Sequence, residues 1–206
     1  MVDPRYVKKR IDMIVELIEG LDSFRAGSPR RSISKLEKLY VSLKLKNAPY
    51  KWKVLSHDMK GILDIPKYHP SYERFIKVHQ AASILSYISL GALILGFFFA
   101  LRKDALPFFY TFTATIMLTN ISLTLRIYET RILSQIFKDK EDILEGKGER
   151  IKETINYLLI LLKRELRKLR QREKIVKLNL YRTDYVHIQI LKKPSPFRST
   201  YLVKIQ

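Results

Sequence analysis

Cysteine is absent from all 206 residues, which excludes disulfides, thiol catalysis and cysteine-ligated metals by composition alone. Tryptophan occurs once, at Trp52. Acidic residues are scarce: 20 Asp and Glu stand against 39 Lys and Arg, for a formal charge of +19. Such an imbalance favours anionic partners, whether phospholipid headgroups, nucleic acid or acidic protein surfaces. Charge is missing almost completely from one region, residues 81–125, where only Arg102, Lys103 and Asp104 carry it. Residues 1–80 hold 17 basic and 9 acidic side chains, and residues 126–206 hold 20 and 10. The opening MVDPRYVKKRIDMIVELIEG alternates charged with apolar residues; it lacks the uninterrupted apolar stretch of a cleavable signal peptide.

What fills the charge-free region is hydrocarbon. Ala81–Leu101 and Ala105–Leu125 are two runs of 21 residues without a charge, and about 20 apolar residues in a helix span a bilayer core of roughly 30 Å. Arg102, Lys103 and Asp104 are expected as the turn of a transmembrane helical hairpin, with Pro107 in the first turn of the second helix, where its missing N–H costs nothing. A three-residue turn holds no domain, so both termini lie on one side, and the basic flanks put that side in the cytoplasm of a multi-pass cell-membrane protein. The first helix carries a small-residue face of Ala82, Ser86, Ser89, Ala92, Gly96 and Ala100, and the second carries Thr111, Thr115, Thr119 and Ser122. Small and hydroxyl faces let helices approach and hydrogen-bond. These faces are expected to pack the hairpin together, with Asn120 turned toward the first helix near Ser86 or toward a partner subunit. No ionisable residue lies within either run, which argues against a conducting pore.

The flanks read as helices followed by strands. Residues 1–70 are expected to form N-terminal cytoplasmic helices. One starts at Asp3-Pro4 and runs to about Leu21. Another has a Ser34-x-x-Glu37 capping box, and a third runs from about Tyr50 to Leu63. The hairpin with its cytoplasmic extensions occupies 71–145, the second helix continuing until Gly146-Lys147-Gly148 breaks it. A basic amphipathic helix follows at 149–173, with Ile151, Ile155, Leu158, Leu162, Leu166 and Leu169 on its apolar face. The tail, 174–206, changes period: IVKLNLY, YVHIQIL and STYLVKI alternate as strands do, predicting a small antiparallel β meander whose edges can accept a partner strand.

Catalytic chemistry is not legible. His57, His69, His79 and His187 lack metal-ligand spacing, no nucleophile stands beside His57-Asp58, and EGKGER lacks the spacing of a phosphate-binding loop. No enzyme activity, cofactor or metal is expected. Two features point to partners instead. Lys163, Arg167, Arg170 and Lys174 form a basic row suited to an anionic surface, lipid ahead of nucleic acid. Trp52, on a helix flanked by Lys51, Lys53 and Lys60, is a candidate interfacial anchor. The reading is a mainly α, two-pass membrane protein serving as scaffold, adaptor or accessory subunit. Its partners are anionic lipid and a cytoplasmic or membrane protein, a second copy of itself included. A membrane-tethered RNA or ribosome binder and an oligomeric pore or effector are the alternatives.

Overall fold

The computed structural model describes residues 4–45, 47–168, 176–195 and 198–205. Among the described residues six α-helices, with a short 3-10 helix at Ile65–Tyr68 after the third, precede three strands: α1 (Pro4–Arg25), α2 (Ile33–Ser42), α3 (Trp52–Asp64), α4 (Tyr72–Leu101), α5 (Ala105–Asp139), α6 (Glu141–Lys168), β1 (Lys177–Leu180), β2 (Ile188–Lys192) and β3 (Tyr201–Ile205). They divide into two compact units, one formed by residues 66–139 and the other by 1–65 with 140–206.

The second of these is built on α1 and α6. Val7, Ile11, Ile14, Ile18, Leu21 and Phe24 recur at helical spacing on α1, and all are buried. They meet Ile151, Ile155, Leu158 and Leu162 of α6. The pairing is antiparallel: Arg10 reaches Glu165 at 3.3 Å, while Arg25, fifteen residues on, lies beside Gly148. Leu36 of α2 and Leu55, Met59 and Ile62 of α3 close the core, each fully buried. Helix α1 continues past Leu21 to Arg25 because its last polar residues are held by partners. It stops in a Schellman turn, with Gly27 at φ 68° and hydrogen bonds from Gly27 N to Phe24 O and from Ser28 N to Ser23 O.

Three sequence expectations change here. The cap of α2 is Ser32, whose extended backbone lets its hydroxyl accept from Lys35 N; Ser34, already inside the helix, cannot fill that role. The glycines of EGKGER do not break a helix. Helix α5 ends at Asp139, and α6 begins at Glu141, two acidic residues in its first turn favouring its N-terminal dipole. Gly148 lies within α6 and is buried, and a Cβ there would stand 3.0 Å from the Arg25 Cγ. Its role is close approach to α1. The separate helix expected at 149–173 is therefore the later part of a helix packed in the same unit as the sheet.

That sheet is not a meander. Its order is β1-β3-β2, with β3 central and antiparallel to both neighbours. Leu178, Leu180 and Val203 are fully buried and place the sheet's inner face in the core of the unit.

The other unit is the hairpin. Helices α4 and α5, 30 and 35 residues long, run about 45 and 52 Å. The turn between them ends α4 in a second Schellman motif, with Asp104 N donating to Phe99 O and Lys103 N to Ala100 O. Here a lysine, Lys103 at φ 59°, occupies the left-handed position. Both helices are long and apolar enough to cross a membrane, and only 11% and 6% of their most apolar windows is buried by the chain.

A Cβ added to Gly20 would overlap Leu36 Cδ2, and Leu36 is fully buried in the core it would have to disturb. Gly20→Ala is expected to destabilise the α1–α6 unit by about 1–3 kcal/mol, read as an earlier melt of Trp52 fluorescence, the single tryptophan lying in that unit.

Candidate functional site

Along the hairpin, the small and hydroxyl residues form a polar seam between otherwise apolar helices. Ser86 and Ser122 hydroxyls lie 2.8 Å apart, and Ser122 also donates to Ala82 O at 3.0 Å. Ser89 bonds Thr119 at 2.7 Å and reaches Thr115 O at 3.3 Å. Nearer the turn, Gly96 lies against Thr111, where an added Cβ would stand 3.1 Å from the hydroxyl oxygen. Away from the turn the seam becomes charged: His79 meets Glu129 at 2.9 Å and Arg74 lies over the Tyr128 ring at 5.2 Å. Hydroxyls that pair across helices or return to their own backbone leave no polar group bare in an apolar medium. Ala92 and Ala100 do not close onto α5. Together with Gly96, Phe108, Phe112 and Thr115 they line an apolar cavity of about 290 Å³ between the helices.

Asn120 does not turn toward the first helix near Ser86; its outward position matches only the other expected neighbour, a partner subunit. It is exposed on the outer surface of α5, where its amide nitrogen donates to Ile116 O at 2.8 Å. The register explains this. Ser122, two residues further along, takes the position opposite Ser86, and two residues turn a helix by about 200°, which carries Asn120 away from α4.

In the α1–α6 unit, a polar cluster joins distant parts of the chain. Asp22, fully buried, accepts hydrogen bonds from Tyr185 Oη, Tyr181 N and Arg182 N. Three residues earlier on the same helix, Glu19 accepts from Asn179 N at 2.8 Å. Arg25 binds Asp184 through both terminal nitrogens and lies over the Tyr185 ring at 5.3 Å; Lys152 adds a 3.1 Å contact to Asp184. Burial pushes the Asp22 carboxyl above its ordinary range, against the hydrogen bonds from Tyr185, Tyr181 and Arg182. Hydrogen bonds from Arg25 and then Lys152 hold Asp184 below its range despite partial burial. Burial, then the neighbouring Asp22, raises the Tyr185 phenol. Both Asp22 oxygens and the phenol are engaged, so the cluster works as a clamp. Nothing in the periodicity announced it, because Asp22 and Asp184 are far apart in sequence and look like surface charges.

The remaining expected residues are placed as follows. Lys163 is half-buried and Arg167 exposed on α6; Arg170, Lys174 and Leu169 lie outside the described residues. Leu158 and Leu162 are buried while Leu166 is partly exposed. Trp52 is half-buried, its ring 5.4 Å from that of Tyr40 on α2. Among the described residues, no group of His, Asp and Glu is arranged to hold a metal ion.

The fold thus defines an apolar two-helix hairpin and a basic helical unit with a small antiparallel sheet. No protein-family model matches the chain, and no curated protein or solved structure shows significant similarity to it.

Two outcomes test this geometry. Ser89→Ala removes a seam hydrogen bond and is expected to destabilise the hairpin by about 0.6 kcal/mol, whereas Asn120→Leu leaves its stability in detergent unchanged or higher. A hairpin weakened more by Asn120→Leu than by Ser89→Ala would contradict the register. In the clamp, the folded chain holds the Asp184 proton less tightly than the unfolded chain does. Its stabilisation is therefore complete above the unfolded pKa of about 3.9 and is lost as pH falls below it. Asp22, raised, runs the other way and partly offsets the loss. Asp184→Asn should cost about 1 kcal/mol at pH 7, a figure reduced for the half-exposed carboxylate. The melting curves of the two proteins should converge below about pH 4.

Proposed function

We propose that this chain is a two-pass membrane protein: α4 and α5 cross the bilayer, both termini face the cytoplasm, and the basic unit serves without catalysis as a scaffold, adaptor or accessory subunit. The observation that carries this reading is the apolar surface of the hairpin. Tyr87, Ile94, Phe97, Phe109, Tyr110 and Met117 are each more than 60% exposed, far beyond the scattered apolar residues a soluble surface tolerates. A core helix of a soluble protein would have that surface covered by its own chain. The polar seam supports the same reading, since the hydroxyls of Ser86, Ser89, Thr119 and Ser122 find partners between the two helices without water.

Orientation rests on charge. The flanks carry 17 and 20 basic residues, and Lys and Arg near membrane helices are retained on the cytoplasmic side. Lys163 and Arg167 add positive charge that suits anionic headgroups, each basic residue near such a surface contributing about 1 kcal/mol. What supports the adaptor role is a unit in which Asp22, Arg25, Tyr185 and Asp184 tie α1 to the tail.

The absence of native thiols makes the test direct. Single cysteines at Lys103 and Lys204 should react with an impermeant maleimide from opposite sides of intact cells, Lys103→Cys from outside and Lys204→Cys only after permeabilisation. Equal labelling of both from outside rejects the orientation, and recovery in the soluble fraction rejects the span. Purification from native membranes should yield a protein partner; recovery of RNA or ribosomal proteins instead would replace the adaptor with an RNA-binding role.

A further inference from the structure

The sheet has two edges, and the fold treats them differently. Along β1, carboxylates of α1 take the place of a neighbouring strand: Glu19 accepts from Asn179 N, and Asp22 accepts from Tyr181 N and Arg182 N. That edge is capped. Among the described residues strand β2 pairs only with β3, and its residues Gln189, Ile190, Leu191 and Lys192 are all exposed. An uncapped edge offers unpaired backbone donors and acceptors to another chain.

The register states what such a chain must look like. Leu178, Val203 and Ile190 stand abreast across the three strands. The first two are fully buried, yet Ile190 at the edge is 44% exposed, so the apolar row runs out to the edge and stops uncovered. The adjacent row, on the opposite face, is Lys177, Lys204 and Gln189, and Lys192 and Lys193 follow at the end of β2. Among the described residues no carboxylate pairs with any of these four lysines. A fourth strand would continue the apolar row on one face and meet uncompensated positive charge on the other.

We propose that the free edge of β2 takes up an extended acidic segment of a partner protein, alternating apolar residues with Asp or Glu, as a fourth strand. A second copy of this chain is the wrong occupant. From Tyr185 to Gln206 the sequence has four basic residues and no acidic one, so pairing two β2 edges would bring only like charges together, which is destabilising. Backbone hydrogen bonds supply affinity in this mode of recognition, and alternate side chains supply selectivity. The inference deepens the adaptor reading by giving its partner a chemistry. It depends on that reading only for where the docking happens.

The test uses the full chain in neutral-lipid nanodiscs with a labelled Val-Glu-Val-Glu-Val-Glu-Val peptide. Binding is followed by fluorescence anisotropy and by hydrogen exchange at individual amides. The peptide is expected to bind, to protect amides of residues 188–192, and to bind at least about tenfold more tightly than a block-ordered peptide of the same composition. The Lys192→Glu/Lys204→Glu variant should weaken it at least about tenfold and should favour the Val-Lys counterpart. Protection at Asn179 and Tyr181 should stay as in the parent, reporting an intact sheet. Absence of binding overturns the proposal, as does equal binding of the block-ordered peptide. So does protection of 188–192 produced by self-association in ultracentrifugation, or by anionic vesicles without peptide. The maleimide labels at Lys103 and Lys204 report topology independently, so either proposal can fail while the other stands.

Discussion

Apolar helix surface has to be removed from water, and this chain provides almost nothing to cover α4 and α5. They use one narrow face on each other, where Ser86, Ser89 and Gly96 meet Ser122, Thr119 and Thr111, and leave large apolar side chains such as Ile94, Phe97, Phe109 and Met117 exposed on the rest of their charge-free runs. The rest of the molecule is arranged around that constraint. Charges are withdrawn to the flanks and to the three-residue turn. Backbone groups are satisfied within the helices, and the hydroxyls of the seam are satisfied by each other or by nearby carbonyls. Small residues serve this better than large ones, because close approach shortens the cross-helix bonds and adds dispersion contact between the two backbones.

The other unit solves a different problem, that of attaching a short sheet to a helical core. Three strands of four or five residues are too small to stand alone. Leu178, Leu180 and Val203 give them a buried face, but direction comes from Glu19 and Asp22, which take backbone N–H groups of β1 and its continuation. Burying Asp22 costs free energy that its three hydrogen bonds have to offset. Arg25 is nearly buried too, and its pairing with Asp184 keeps its charge from being stranded. The result is one edge sealed by carboxylates and one left open and basic.

Much of this architecture was readable in the residues. The two charge-free runs, the turn at Arg102–Asp104, the amphipathic stripe of α1 and the change of period after residue 174 are local patterns, and each led to the element found. The misreadings came where a residue's role depends on a distant partner. Gly146-Lys147-Gly148 looks like a helix break by propensity, yet packing of Leu144 and Ile151 carries α6 through it, and Gly148 is needed beside Arg25. Asn120 looked like an interhelical donor because depth was judged from the turn alone. The hairpin register, set by Ser122 opposite Ser86, rotates it outward.

The sequence by itself therefore determined which segments avoid water, where charge is concentrated, and which stretches are helical or extended, since these follow from periodicity and composition over a few neighbouring residues. Tertiary structure alone decided the strand order β1-β3-β2, the capping of one sheet edge, and the pairing of Asp22 and Arg25 with Tyr185 and Asp184. The last two bring together residues about 160 positions apart. Their cost in chain entropy and desolvation is met only when the whole core forms around them, so no local window of sequence contains the information.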